Sequence, residues 1–403
     1  MAREEMNIDE RFTYLRLMQK RYREADRRVK ARLLDEMETM TGLNRKYLIG
    51  QMNSFELYRR PRRHERGRVY GNEVVQAITT ISDALDWICA ERLQPTLRGT
   101  AEHLIGFGEM RATAEVLAKL GRISVATVGR ILTDIRPVER LPRAYPGRRA
   151  ENSAQRAVPI AIIPWDMGEP GHFEIDLVHH GICDEQNRLV CTLQCIDVLT
   201  GWSERFAIMG HEFDAIWGAL QTFKHLCPIP VRQIHSDNGA EFINTALIAC
   251  FGADKLAASQ TRGRPGYHND NRFVEQKNSS LVRAYLGTAP LHTYEQLRAL
   301  NLAYQDMRIY YNLFQPVLRQ IERTAVLRPN STVYIKRQQD RARTPLQRLL
   351  VAEPPISREA QEHLLILHQT TNPLALKRRI HAQIRALIAT PIQSEKEEVS
   401  TPV

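Results

Sequence analysis

The sequence predicts a multidomain chain: an all-α N-terminal region with helix-turn-helix units, an α/β core of mixed sheet and helices, then a basic linker and C-terminal helices. Three observations predict it. Apolar residues recur at three- and four-residue steps as far as about residue 135, the helical period. From Gly171 onward the period becomes that of strands bounded by Gly, Asn and Asp turns. Two Arg-rich stretches containing Pro separate the periodic segments. The resulting units are 1–58, an Arg-rich linker 59–71, 72–135, an Arg/Pro linker 136–159, the α/β core 160–312, a basic extension 313–356, C-terminal helices 357–390 and a polar, disordered tail 391–403.

The bulk numbers fit a globular chain, with 43% hydrophobic and 25% charged residues over 403 positions. Net charge is +10, concentrated in Arg-rich segments. That balance favours a polyanionic partner, nucleic acid before membrane. No stretch approaches the ~18 apolar residues of a membrane span. Met1–Glu10 lacks the apolar run of a signal peptide. The six cysteines form no CxxC pair, and Cys191 and Cys195 sit in an apolar run, which reads as free thiols in reducing cytoplasm.

In order, Phe12 to about Met52 is helical, with Leu15, Met18, Tyr22, Val29, Leu33, Leu34 and Met37 on the apolar face. Met40–Leu43 interrupts, and Asn44 is a good N-cap for a helix over Arg45–Met52. Helix, Gly-containing turn and short helix suit a helix-turn-helix as well as an ordinary αα-hairpin. Arg45 and Lys46 stand where phosphates would be met. The linker follows with six arginines in Arg59–Arg68. Among them Arg60, Arg62 and Arg63 can lie along phosphates or in a minor groove. Thr113–Leu132 repeats the helix–turn–helix logic with Ser124 as cap. Val125, Val128, Ile131 and Leu132 face inward, leaving Ala126, Thr127 and Arg130 outward for base edges.

The core reads as strands at Gly171–His179, Arg188–Val198 and Trp202–Met209, an amphipathic helix Phe213–Leu226, and a strand Val231–Ser236. A helix over Glu241–Phe251 and a loop Thr261–Tyr267 come next. A long helix from Asn269 or Asp270 then carries Asn271, Glu275, Asn278, Ser279 and Val282 along one face. Asp176 and Asp237 thus lie on strands and Glu275 on a helix, Asp237 following Asp176 by 61 positions and Glu275 following by 38. Three carboxylates on rigid elements can converge on Mg2+ or Mn2+, oxygen-loving ions that bind phosphate oxygens. Two such ions about 4 Å apart assist an in-line phosphodiester displacement.

FEIDLV, HSDNGAEF and NDNRFVEQKN together resemble the signature of the DDE integrase/transposase catalytic core, over roughly Gly171–Asn312. The run Asp197–Trp202 and the Tyr311-Asn312 close also resemble bacterial insertion-sequence transposases. The resemblance implies an RNase H-like fold with Asp176, Asp237 and Glu275 as catalytic metal ligands for two Mg2+ or Mn2+ ions. It implies a transposase that cuts element ends at the 3′ phosphodiester and joins the freed 3′-hydroxyl to target DNA, without a covalent protein intermediate. It also implies a homo-oligomer, a dimer or more, on double-stranded element ends and target, located with the bacterial nucleoid. Retroviral members carry an N-terminal zinc module; His64, Cys89 and His103 are too few and badly spaced for one, so no zinc is expected. A catalytically silent DNA-binding regulator and an RNase H-like nuclease without joining activity are the alternatives.

Neighbouring residues admit more than one role. Glu174 shares a strand face with Asp176 and can support it or replace it as ligand. Asp197 reads as a turn residue, Glu241 as an acid favoured in a helix's first turn. His235 suits ligand orientation, a DNA contact or simple packing. Arg262, Arg264, Arg272 and Lys277 surround the acidic trio and suit a DNA end. After the core, Ser331–Lys336 is β-prone. Ser357–Gln369 and Pro373–Ile388 read as helices whose apolar faces (Leu364, Leu365, Leu367; Leu376, Ile380, Ile384, Leu387) need burial.

Overall fold

The computed structural model describes residues 6–55, 57, 69–136, 168–186, 188–237, 239, 241–252, 256, 259–264, 271–287, 289–327 and 333–389. Arg60, Arg62 and Arg63, the linker 137–159, Asn238, the expected helix start at 269–270 and the tail 391–403 lie outside the described residues. Two compact units result, 1–69 and 70–403.

The first unit is three helices: α1 (Ile8–Glu24), α2 (Arg27–Thr41) and α3 (Arg45–Met52). Leu15, Met18, Tyr22, Leu33, Leu34, Met37, Leu48 and Met52 form its core, whereas Val29 is exposed. The expected single helix is broken at Ala25, because the Asp26 carboxylate caps the amides of Arg28 and Val29 at 2.8 and 2.9 Å. Gly42 ends α2 at φ +67°, a left-handed cap that glycine takes without strain. The buried Gln19 amide of α1 donates to the carbonyls of Gln51, Met52 and Ser54, satisfying the C-terminal end of α3.

The second unit opens with helices α4 (Asn72–Ala84), α5 (Ala90–Leu93), α6 (Leu97–Gly106), α7 (Ala114–Arg122) and α8 (Val125–Ile135). Thr113 and Ser124 cap α7 and α8. Val128 and Leu132 are buried and Ala126 and Arg130 exposed, as the period required. These helices share one apolar core with the sheet that follows. Tyr310 Oη donates to Ala84 O at 2.8 Å, and Gln315 Nε2 donates to Leu85 O at 2.7 Å.

That sheet comprises β1 (His172–His179), β2 (Val190–Asp197), β3 (Ser203–Met209), β4 (Gln233–Ser236) and β5 (Ser259–Arg262), in the order β3-β2-β1-β4-β5. β1, β2 and β3 are antiparallel neighbours, while β4 runs parallel to β1 and β5 parallel to β4. This is the mixed α/β core expected. Between β3 and β4 runs α9 (Phe213–Leu226); between β4 and β5 the described residues hold one short helix, α10 (Thr245–Ile248). The longer helix expected over Glu241–Phe251 is therefore absent: Asn244 caps α10, and Glu241 and Phe242 form a turn. β5 was not expected either.

One sheet face, with Phe173, Ile175 and Leu177, packs on Ile216, Leu220 and Phe223 of α9. The other, with Val178, Val190 and Ala207, is covered by the segments after β5. These are α11 (Arg272–Lys277), a π-helical turn Asn278–Arg283, α12 (Ala284–Leu286), α13 (Tyr294–Ile309) and a second π-helical turn Tyr310–Phe314. A two-stranded sheet of β6 (Gln320–Leu327) and β7 (Val333–Gln339) precedes α14 (Pro345–Leu349), α15 (Arg358–Thr370) and α16 (Pro373–Ala389). Leu376, Ile380, Ile384 and Leu387 of α16 are buried in the core built on α13, and Leu364 of α15 is buried. Asp197 closes the β2–β3 turn: its carboxylate accepts from Gly171 N and from Thr200 N and Oγ1 at 2.7–2.8 Å. All six cysteines are free. No helix among the described residues is long and apolar enough to cross a membrane.

Candidate active site

Side chains alternate along β1, so Glu174, Asp176 and Val178 face the helical segment that begins at α11. That segment is fastened to β1 at two points. The buried Glu174 carboxylate accepts the backbone amides of Phe273 and Val274 at 2.8 and 3.0 Å. These are first-turn amides that no helical carbonyl can satisfy, and the helix dipole favours an anion there. One turn on, Asn278 Nδ2 donates to Asp176 Oδ2 at 2.6 Å. Asn278 also starts the π-helical turn, whose wider coil shifts the register of the residues after it. Glu174 is thus a docking group for the helix.

Asp176 Oδ1 accepts the amide of Leu177 at 2.9 Å. Asp237 directly follows β4, and its Oδ1 accepts the amide of Gly239 at 2.9 Å, an Asx-type turn. A Cβ on Gly239 would fall 2.6 Å from the Glu241 carboxyl carbon, so the carboxylate lies against the bare glycine. Glu275 projects from α11 and is exposed. Burial, then the negative charges of Asp237, Glu241 and Glu275, push the Asp176 carboxyl up to about 8. Asp237 and Glu275 therefore each lie within electrostatic reach of Asp176, and so does Glu241. That fourth acid was read from the sequence only as a helix-start residue; the signal for it was its place two positions after Gly239.

As the side chains stand, no group of three or more His, Cys, Asp or Glu among the described residues is gathered to hold a metal ion. The donor chemistry nevertheless fits a divalent cation. Mutually repelling carboxylates that raise a neighbour's proton affinity are relieved by a hard ion with oxygen preference.

The other residues singled out are dispersed. His235 is a buried strand residue whose Nδ1 is 2.9 Å from Thr261 Oγ1. Arg262 ends β5 opposite Ser236, so it stands buried at the sheet end that leads to Asp237. Arg264 lies two residues beyond. Arg272 opens α11, and Lys277 ends it, half-buried. In the first unit Arg45 is tied to Asp35 and to Ala31 O, so its guanidinium braces α2 against α3; Lys46 is exposed. Thr127 Oγ1 accepts from Arg130 Nη2 at 3.2 Å, on the outer side of α8.

No protein-family model matches the chain. It is 32% identical over 309 residues to the uncharacterized protein y4rM of Sinorhizobium fredii (strain NBRC 101917 / NGR234), covering 76% of this chain and 87% of that protein. Among solved structures it is similar to a chain of the simian T-cell lymphotropic virus intasome in complex with PP2A regulatory subunit B56 gamma. There the identity is 14% and the TM-score 0.31, over 63% of this chain and 76% of that one.

Proposed function

The chain belongs to the family of the uncharacterized Sinorhizobium fredii protein y4rM, and for it we propose a DNA transposase that cleaves element ends at the 3′ side and transfers the strand into target DNA. One observation carries the reading. The helix bearing Glu275 is held on β1 through Glu174 and Asn278, so that Asp176 feels Asp237, Glu241 and Glu275 together. Three of these four acids, Asp176, Asp237 and Glu275, are the ones the integrase resemblance singles out.

In this reading Asp176, Asp237 and Glu275 hold two Mg2+ or Mn2+ ions. Such ions, when bound, activate a water or 3′-hydroxyl and stabilise the leaving oxygen of a phosphodiester. Asn278 fixes the orientation of the Asp176 carboxylate, and the Gly239 amide fixes that of Asp237. Glu174 keeps α11 from lifting away. Arg262, Arg264, Arg272 and Lys277 supply positive charge for the backbone of a DNA end. Helix pairs α2–α3 and α7–α8, with Lys46, Thr127 and Arg130 on their second helices, suit binding of element ends through the major groove. Acting on two ends and a target calls for a homo-oligomer assembled on double-stranded DNA, at the nucleoid.

The test uses the full chain, Mg2+ and duplexes carrying the DNA that flanks its reading frame. Cleaved and joined products are expected, abolished by Asp237→Asn with end binding retained. Cleavage without joined products would indicate a nuclease, and binding alone a DNA-binding regulator. Strand transfer by the Asp237→Asn protein would sink the assignment.

A further inference from the structure

Asp86 is an acid to which the proposed catalysis gives no role. It and Trp87 follow α4 at φ +57° and +53°, and among the described residues they are the non-glycine positions with positive φ. Such residues persist where the surroundings over-determine them, and they gather at functional sites. Here residues 84–87 are each gripped by a side chain from elsewhere in the unit. Ala84 O accepts from Tyr310 Oη at 2.8 Å, and Leu85 O from Gln315 Nε2 at 2.7 Å. Trp87 O accepts from Arg136 Nη2, at the end of α8, at 2.7 Å. Asp86 is held through its carboxylate. Its Oδ2 accepts from Tyr285 Oη at 2.5 Å, and its Oδ1 lies 3.5 Å from His381 Nε2 of α16.

Tyr285 leads to the candidate active site. It lies on α12, which continues without interruption from α11 and the π-helical turn, ten residues after Glu275. That segment is pinned at its start by Glu174, and one turn on by the bond between Asn278 and Asp176. Tyr285 pins its far end, on the other flank of the π-helical turn. Tyr311 Oη donates in turn to Tyr285 Oη, so the phenol hydrogen of Tyr285 is committed to Asp86. A phenol donating to an ionised carboxylate makes a short, charge-assisted bond. Burial opposes the charge of Asp86, but the bonds from His381 and Tyr285 outweigh it and hold the carboxyl below its usual range. The π-helical turn is a rare coil, frequent at functional sites. Fixed on both flanks, it cannot rewind to regular helix and rotate the side chains on either side.

We propose that Asp86 is a positioning residue for Glu275. Through Tyr285 it fixes the far end of the helical segment, so that Glu275 and Asn278 keep their places against Asp176. An aspartate stands where glycine would relieve the backbone, because glycine offers the phenol no acceptor. The inference rests on the catalytic reading.

The full chain and its Asp86→Gly, Asp86→Asn and Tyr285→Phe variants test it. Mn2+ affinity without DNA, by electron paramagnetic resonance, is measured beside affinity for the flanking duplex and single-turnover cleavage of that duplex. Asp86→Gly and Tyr285→Phe should each weaken Mn2+ binding and slow cleavage about tenfold, with duplex affinity and melting temperature close to wild type. Asp86→Asn keeps an acceptor oxygen and tolerates left-handed backbone, so it should stay near wild type in every measurement. Tyr285→Phe keeps the ring and decides the matter if Asp86→Gly does not fold. Unchanged Mn2+ affinity and cleavage in Asp86→Gly and Tyr285→Phe overturn the proposal, as does an Asp86→Asn protein as impaired as Asp86→Gly. Losses of duplex affinity and melting temperature in step with cleavage overturn it too, since they mark a purely structural clasp. Wild-type protein that neither binds Mn2+ nor cleaves refutes the catalytic reading and positioning with it. Wild-type activity that the variants share refutes positioning alone.

Discussion

Asn278 donates its side-chain amide to the Asp176 carboxylate at 2.6 Å, joining the helix that carries Glu275 to the strand that carries the first acid of the trio. The bond is made by a neutral donor, so it orients Asp176 without cancelling its charge. Asn278→Ala should leave the fold and DNA binding intact and lower metal-dependent cleavage about 10- to 100-fold, the usual effect of losing a residue that orients a ligand. Cleavage rates and duplex affinity measured side by side check this. Equal loss of both would point to a collapsed helix instead.

Glu174 satisfies two amides that the α11 helix cannot satisfy for itself. Glu174→Ala strands both, the Val274 amide in a buried place and the Phe273 amide in a part-buried one, and should cost about 2 kcal/mol of stability, within the range for unsatisfied buried groups. Glu174→Gln keeps an acceptor oxygen and should cost clearly less. Urea unfolding followed by tryptophan fluorescence distinguishes them. Equal midpoints for the two variants would show that the carboxylate charge, not the hydrogen bonds, holds the helix.

These two bonds also mark where the sequence stopped being readable. Asp176, Asp237 and Glu275 could be placed on two strands and a helix because apolar alternation, an Asn-Gly break and a resumed helical period surround them. Asn278 was placed on the same helix face as Glu275, but nothing local says which strand residue it meets. β5 was missed because Ser259–Arg262 is polar; it becomes a strand by pairing with β4, a tertiary effect that overrides propensity. The break before Asp26 was missed since no Gly or Pro announces it, only a side-chain cap. The joining of residues 72–135 to the sheet rests on pairs such as Tyr310 and Ala84, too far apart in the chain for any periodicity to connect.

Glu204 sits at 1% exposure between the Arg308 guanidinium and the Trp202 indole, with Nε of Arg308 2.8 Å from both of its oxygens. Arg308 also reaches Leu226 O at 2.7 Å, so the pair ties α13 to the end of α9 across β3. Glu204→Ala should destabilise by about 3 kcal/mol, because it leaves a cation and an indole N–H without their acceptor. The double variant Glu204→Ala, Arg308→Ala should recover part of that loss. Thermal denaturation of both variants checks the coupling; a double variant as unstable as the sum of its singles would show none.

His180 gives the clearest pH dependence. It is buried beside β2, its Nε2 2.7 Å from Thr192 Oγ1, which in turn lies 2.6 Å from Tyr304 Oη. Burial, then the positive charges of Arg283 and His179, lower its pKa from 6.5 to about 3. The folded chain therefore refuses a proton that the unfolded chain accepts below 6.5. Stability from this residue is full above pH 6.5 and declines as pH falls from there toward 3, by about 1.4 kcal/mol at pH 5.5. His180→Gln cannot take up the proton in either state, so its unfolding free energy should fall less between pH 7 and 5.5, by that same margin. Parallel curves for the two proteins over that interval would show that His180 titrates normally in the fold.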